Sequence, residues 1–226
     1  MAKGKAQLIT IAGEHDVRVS GLMQTPANPR ACYVMAHGAG AGMKHPFMAA
    51  VATELEQRGI ATLRYQFPYM ERGSKRVDPP PLAHATVRAA VAAAGAALGD
   101  LPLAAGGKSF GGRMTSQTQA EAPLPGVLGL AFFGFPLHPA GKPSRERAAH
   151  LFKVQIPMLF LQGTRDTLAS LDQLEPVCKA LGQRATLRLF ADADHSFHVP
   201  AKTGRTDAQV LDEMCEAFAA WIESLL

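Results

Sequence analysis

The strongest constraint on this chain is a repeated change of rhythm. Short, wholly apolar runs alternate with longer stretches in which apolar residues return every three or four positions. "ACYVMAH", "IATLRYQF", "LPLAAGG", "GVLGLAFFGF" and "PMLFLQG" are runs of the first kind. A strand that lacks polar alternation has both faces covered, so these runs predict a mostly parallel sheet with helices on both sides. Residues 46–57, 82–98 and 112–120 read as helices, with Gly99 near the end of the second. Leu171, Leu174, Cys178 and Leu181 mark a further amphipathic helix, and "ATLRLF" a further strand. Val210, Met214, Phe218, Trp221 and Leu225 form one stripe of a last helix, which is expected to seal one face of the sheet.

At the start, "QLITIA" and "VRVSGLM" read as a hairpin around Gly13. "AGKPSRERAAHLFK" leaves room for a short helix only. "PYMERGSKRVDPPP" lies between a strand and a helix and is expected to be a functional loop. No repeat or linker divides the 226 residues, so residues 1–226 are read as one domain with a substantial core.

Composition narrows the surroundings. No apolar run reaches the length expected of a membrane span, and Lys3 and Lys5 are not followed by an apolar stretch of signal-peptide length. The three cysteines, Cys32, Cys178 and Cys215, are too scattered for a disulfide framework, so a cytoplasmic protein with reduced thiols is expected. A net charge of +4, with both signs spread along the chain, does not predict a nucleic-acid partner. The acidic and histidine residues lack metal-ligand spacing, so neither metal nor cofactor is expected.

The chemistry concentrates in "LPLAAGGKSFGGRM", residues 101–114. Gly107-Lys108-Ser109 could end a phosphate-binding loop, but that loop needs a glycine five positions earlier. Pro102 stands there instead, and it can neither donate an N–H nor make the turn. The other reading is a nucleophile elbow, in which a strand stops, a serine takes a strained conformation and a helix starts at once. Gly107 and Gly111 supply the small flanking residues this needs, which makes Ser109 the candidate nucleophile.

A serine hydroxyl needs a base, and the base an orienting acid, each on a loop after a strand. Asp166 follows "PMLFLQG" and His195 follows "ATLRLF", in the expected order of serine, acid, histidine. Asp192 and Asp194 are rivals for the acid but read better as turn residues. His198 is the rival base; His195 comes sooner after the strand. The amides of Phe110 and Ala39 are the expected oxyanion donors, with Gly40 and Gly42 keeping the second loop open. His37 is expected to hydrogen-bond its own loop, and His45 either to line the rim or to pack. Gly40, His45, Arg72 and His138 are the expected substrate-lining positions. Arg113 opposes the dipole of its helix and so predicts a carboxylate partner, with Glu71 and Asp78 as candidates.

With these residues in place, the chain resembles the α/β-hydrolase superfamily over nearly its whole length. "HGAGAGMKHPFM", "RYQFPYMERG", "GGKSFGGRM" and "FPLHPAGKP" are similar to a small lidless group. That group is related to the hydrolase-like domain of subunit 3 of the NSL chromatin complex and to dienelactone-hydrolase-like proteins. The resemblance implies an eight-stranded sheet with its second strand antiparallel, and a Ser109–Asp166–His195 triad. Lys108 departs from the uncharged residue that many members carry before the nucleophile. Too few residues separate Phe135 from Met158 for a large cap, which favours small ester or thioester substrates.

Arg72, Lys75, Arg76, Lys142, Arg145 and Arg147 follow strands whose ends should share an edge with Ser109, so a cationic rim favouring anionic acyl groups is expected. A serine hydrolase of carboxylesterase type is the leading reading. A hydrolase-fold interaction module with little turnover and a small peptidase of the same fold are the alternatives. Nothing in the sequence sets an oligomeric state.

Overall fold

A computed structural model describes residues 6–226. Lys3 and Lys5 lie outside the described residues. The apolar runs become strands β1 (Gln7–Ala12), β2 (Arg18–Gln24), β3 (Ala31–Ala36), β4 (Ile60–Tyr65), β5 (Leu103–Lys108), β6 (Val127–Phe133), β7 (Met158–Gly163) and β8 (Ala185–Phe190). They form a single sheet in the order β1-β2-β4-β3-β5-β6-β7-β8. β2 runs antiparallel to β1 and β4, and the later pairings, from β3–β4 to β7–β8, are all parallel.

The helices are α1 (Pro46–Gln57), α2 (Pro68–Glu71), α3 (Pro80–Leu98), α4 (Phe110–Glu121), α5 (Leu171–Leu181) and α6 (Asp207–Glu223). The segment between β6 and β7 holds only loop and a 3-10 helix, Glu146–Lys153, which agrees with the absence of a large cap. α2 lies inside the stretch that the sequence marked as a loop. A helix of four residues is too short to show a periodicity.

Alternation along each strand builds a core on both faces. Cys32, Val34 and Ala36 of β3, with Leu63 of β4, Phe132 of β6 and Phe160 of β7, pack against α3, α4 and α5. Tyr33 and Met35, with Phe133 and Leu161, face α1 and α6 through Met48, Val51, Leu55, Val210, Met214, Phe218 and Trp221. The Val210–Trp221 stripe therefore seals the second face, as its spacing predicts. Arg58, just past α1, ties that helix to α6 through Asp212 and Glu216.

α3 is long and apolar enough to cross a membrane by length and composition alone, a point the sequence reading missed. Its apolarity is accounted for by packing. Ala83, Val87, Ala90, Val91 and Ala94 are buried against the sheet.

Order within the sheet fixes where a site can form. The chain leaves β3 through α1 to β4 on one side, then crosses through α3 to β5 on the other side of β3. The connections from the carboxyl ends of β3 and β5 therefore diverge, and the crevice between them is the usual ligand position in such sheets.

Phe218 tests this packing. It is fully buried with ring contacts to Tyr33, Phe133 and Trp221. Phe218→Ala is expected to cost about 3–5 kcal/mol, read as a lower urea midpoint. A loss below about 1 kcal/mol would mean that α6 is not clamped to the sheet as described.

Candidate active site

The turn from β5 into α4 is set by crowding. Gly107 lies beside Ala36 of β3, and a Cβ on Gly107 would sit 2.1 Å from the Ala36 carbonyl oxygen. A Cβ on Gly111, the second residue of α4, would sit 2.5 Å from the same oxygen. Backbone on both sides therefore excludes any side chain at these two positions. Between them Ser109 is held at φ 50°, ψ −115°, outside the regions that L-residues ordinarily occupy. That strained conformation turns its hydroxyl out of the sheet.

Three chain ends meet there. His195 Nε2 lies 2.8 Å from Ser109 Oγ, and His195 Nδ1 lies 2.6 Å from Asp166 Oδ2. The imidazole is partly exposed, whereas Asp166 is buried. Asp166 Oδ1 accepts from the Leu168 amide at 2.7 Å, and Oδ2 also accepts from the Gln162 side chain. A carboxylate supplied with donors in this way stays acceptor-only towards the ring, which fixes the proton on Nδ1 and leaves Nε2 free to accept from the serine.

The acid and base loops are laced together. Arg165 N donates to Ala193 O, Thr164 N to Phe190 O, and Asp192 N to Thr164 Oγ1. The rivals are accounted for. Asp194 Oδ1 caps its own turn by accepting from the Ser196 and His198 amides. His198 is exposed and pairs with Asp207.

The loop after β3 lies alongside. The His37 ring is buried, donates from Nδ1 to Gly38 O at 2.7 Å and accepts at Nε2 from the Phe67 amide at 3.1 Å. Burial pushes its pKa down to about 4, so the ring is neutral and structural, as expected. The Gly40 amide donates to Tyr69 Oη and the Met43 amide to Gln66 Oε1. By contrast, the Ala39 and Phe110 amides have no acceptor among the described residues. Phe110 also opens α4, where the helix dipole favours negative charge.

A cavity of about 370 Å³ opens over Ser109, lined in part by Ala39, His45, Phe47, Met48, Lys108 and Leu168. His45 lines it and also caps α1, accepting at Nδ1 from the Phe47 amide. The other expected substrate positions are placed differently. Gly40 spends its amide on Tyr69, holding the loop and not facing this cavity. His138 is buried, with Nδ1 bonded to Pro139 O and Nε2 turned towards Ser170, so it cannot reach a substrate. Arg72 is drawn to buried Asp78 at 2.8 Å and lines a separate depression with Arg18 and Glu71.

The cationic rim does not assemble around this cavity. Arg145 is bonded to Gln173, and Arg147 stands beside Arg113. Arg113 also lacks its expected carboxylate: Glu71 accepts from the Ser20 amide, while Asp78 accepts from Arg72 and the Tyr69 amide. The Arg113 guanidinium lies over the Phe110 ring, 5.9 Å from its centroid, with an aromatic face in place of an anion.

Gln162, Tyr69 and Lys108 are the residues the sequence reading did not assign. A glutamine at the end of the apolar run "MLFLQG" was the available signal for the first.

The alpha/beta hydrolase domain family matches residues 29–223 of this chain. Among solved structures, a dienelactone hydrolase from Anabaena variabilis is 20% identical, with 99% of each chain covered and a TM-score of 0.79. A lidless α/β serine hydrolase from Xanthomonas campestris is 19% identical, covering 98% of this chain and 95% of its own, at a TM-score of 0.76. An esterase from Pyrococcus furiosus is 15% identical, covering 98% and 93%, at 0.73. At these identities the likeness is one of fold.

The buried rings give a pH prediction. Burial holds His37 and His150 down to about 4 in the folded chain, whereas an unfolded histidine titrates near 6.5. The unfolded chain therefore binds more protons between those values, and stability falls as pH drops from about 6.5 towards 4. His150→Gln should flatten that slope by up to about 1.4 kcal/mol per pH unit, measured from urea midpoints. An unchanged slope would show that His150 is protonated in the folded state.

Proposed function

We propose that this chain, which belongs to the α/β-hydrolase family, is a serine hydrolase of carboxylesterase type acting on small esters or thioesters. The observation that carries the reading is the unbroken contact chain from Ser109 Oγ through His195 to Asp166, at 2.8 and 2.6 Å. Both separations are within proton-transfer reach.

Ser109 Oγ attacks the substrate carbonyl carbon as His195 Nε2 takes its proton. Asp166 keeps the imidazole in the required tautomer and offsets the charge of the imidazolium. The oxygen that becomes negative is met by the Ala39 and Phe110 amides, whose N–H groups have no competing acceptor among the described residues. Collapse breaks the bond to the alcohol or thiol, which leaves with the proton from His195. Water, deprotonated by the same imidazole, then attacks the acyl-serine and releases the acid.

The cavity supports small acyl groups. Its volume of about 370 Å³ is at the low end for ligand pockets, with Phe47, Met48 and Leu168 as its apolar wall. The three unpaired, buried thiols fit a reducing compartment, and the cytoplasm is proposed as the location. A small-molecule substrate is proposed as the partner, with neither nucleic acid nor membrane.

A fluorophosphonate probe should label the wild-type chain and leave Ser109→Ala unlabelled. Asp166→Asn should lower kcat/KM for p-nitrophenyl acetate by about 10³–10⁴, whereas His198→Ala should change it less than about twofold. Labelling that survives in Ser109→Ala, or a large loss in His198→Ala, would overturn the assignment. In a series from acetate to decanoate esters, kcat/KM should fall once the acyl chain outgrows the cavity. A rise with length would contradict the small-substrate reading.

A further inference from the structure

We propose that Lys108 is a positioning residue for the catalytic base: its ammonium grips the main-chain carbonyl of His195, holding the imidazole against Ser109 and favouring its neutral form. The inference rests on the triad reading above and assigns the departure at the position before the nucleophile.

Lys108 is the last residue of β5 and adjoins Ser109. Its Nζ donates to His195 O, so one side chain ties the strand presenting the nucleophile to the loop presenting the base. Two rings close over the ammonium. Nζ lies 5.0 Å from the Phe197 centroid and 5.8 Å from that of Phe47, and those two rings are themselves stacked at an interplanar angle of 8°. Gly134 closes a third side. A Cβ there would sit 2.9 Å from Nζ and 3.4 Å from both His195 Cε1 and Nδ1, and Gly134 has φ +70°. The lysine and the imidazole thus share one small enclosure.

The charge in that enclosure is not neutralised by contact. Asp166 gives its oxygens to His195, Gln162 and the Leu168 amide, and Asp194 gives Oδ1 to the Ser196 and His198 amides. Both act on Lys108 through space only. Besides Lys108 and His195, His45 is the other titratable group lining the cavity. Burial pushes the Lys108 pKa down to about 8, with Asp166 and Asp194 pulling the other way, so the ammonium is charged at neutral pH. A buried cation without an ion pair is costly to keep and recurs where it shifts a neighbour's protonation. Here its charge stands beside the ring that must take up the serine proton, and opposes the positive charge that Asp166 favours there.

Lys108→Met removes charge and donor together, whereas Lys108→Arg keeps both. The experiment compares these with the wild type and with the surface control Lys142→Met. It reads fluorophosphonate labelling rate and the kcat/KM profile for p-nitrophenyl acetate from about pH 5 to 9. Lys108→Met should label about tenfold more slowly or worse, and its acidic limb should move up by about half a pH unit or more. Lys108→Arg should recover most of both effects, with Lys142→Met unchanged.

A Lys108→Met profile that overlays the wild type overturns the proposal. So does a slow variant with an unmoved limb that Lys108→Arg fails to restore, since that pattern is lost packing alone. If Lys108→Met does not fold, Lys108→Gln, which removes the charge and keeps a donor, should still move the acidic limb up, and an unmoved limb would overturn the proposal. A wild-type chain that neither labels nor turns over the ester would sink the hydrolase reading itself, before any Lys108 variant is considered.

Discussion

The whole site depends on how closely the turn out of β5 presses on β3. Ala36 O occupies the space that a side chain at Gly107 or Gly111 would need, so the backbone there can pass only as glycine. The passage is tight enough to leave Ser109 in a conformation that costs roughly 1–3 kcal/mol. The core on both sheet faces pins the strands and α4 and so sustains that strain. Relaxing the turn would swing the hydroxyl away from the imidazole and take the first amide of α4 with it.

Around this fixed point the other groups are held by their neighbours and not by their own loops alone. Gln162 and the Leu168 amide aim Asp166, the Asp166 and His195 loops share backbone hydrogen bonds, and Lys108 reaches across to the His195 carbonyl. On the opposite side the neutral ring of His37 and the hydroxyl of Tyr69 shape the loop that carries Ala39. The geometry of such a site is a property of the second layer of side chains as much as of the groups that meet in it. A local change in any of those supports is transmitted to the triad.

The sequence made the framework legible because its signals were local. Short runs gave all eight strands their positions to within a residue or two, and G-K-S-F-G followed by a helix marked Ser109. Chain order then found Asp166 and His195. What stayed hidden was set by contacts between distant segments. Arg72 looked like a cation at the sheet edge, but buried Asp78 captures it. His138 was expected to line the substrate, but it is buried with its ring bonded to Pro139 O. Arg113 was expected to find a carboxylate and found the ring of Phe110. Lys108 stood out as an oddity, yet nothing local revealed that its ammonium ends on a carbonyl far along the chain.

The central claim is that Ser109 becomes covalently acylated during turnover. Quenching the wild-type chain in acid during steady-state hydrolysis of p-nitrophenyl acetate, then mapping its peptides by mass spectrometry, tests that directly. The account predicts a single acetyl group on the peptide carrying Ser109. Hydrolysis proceeding with that serine unmodified and the acetyl group on another residue would contradict it.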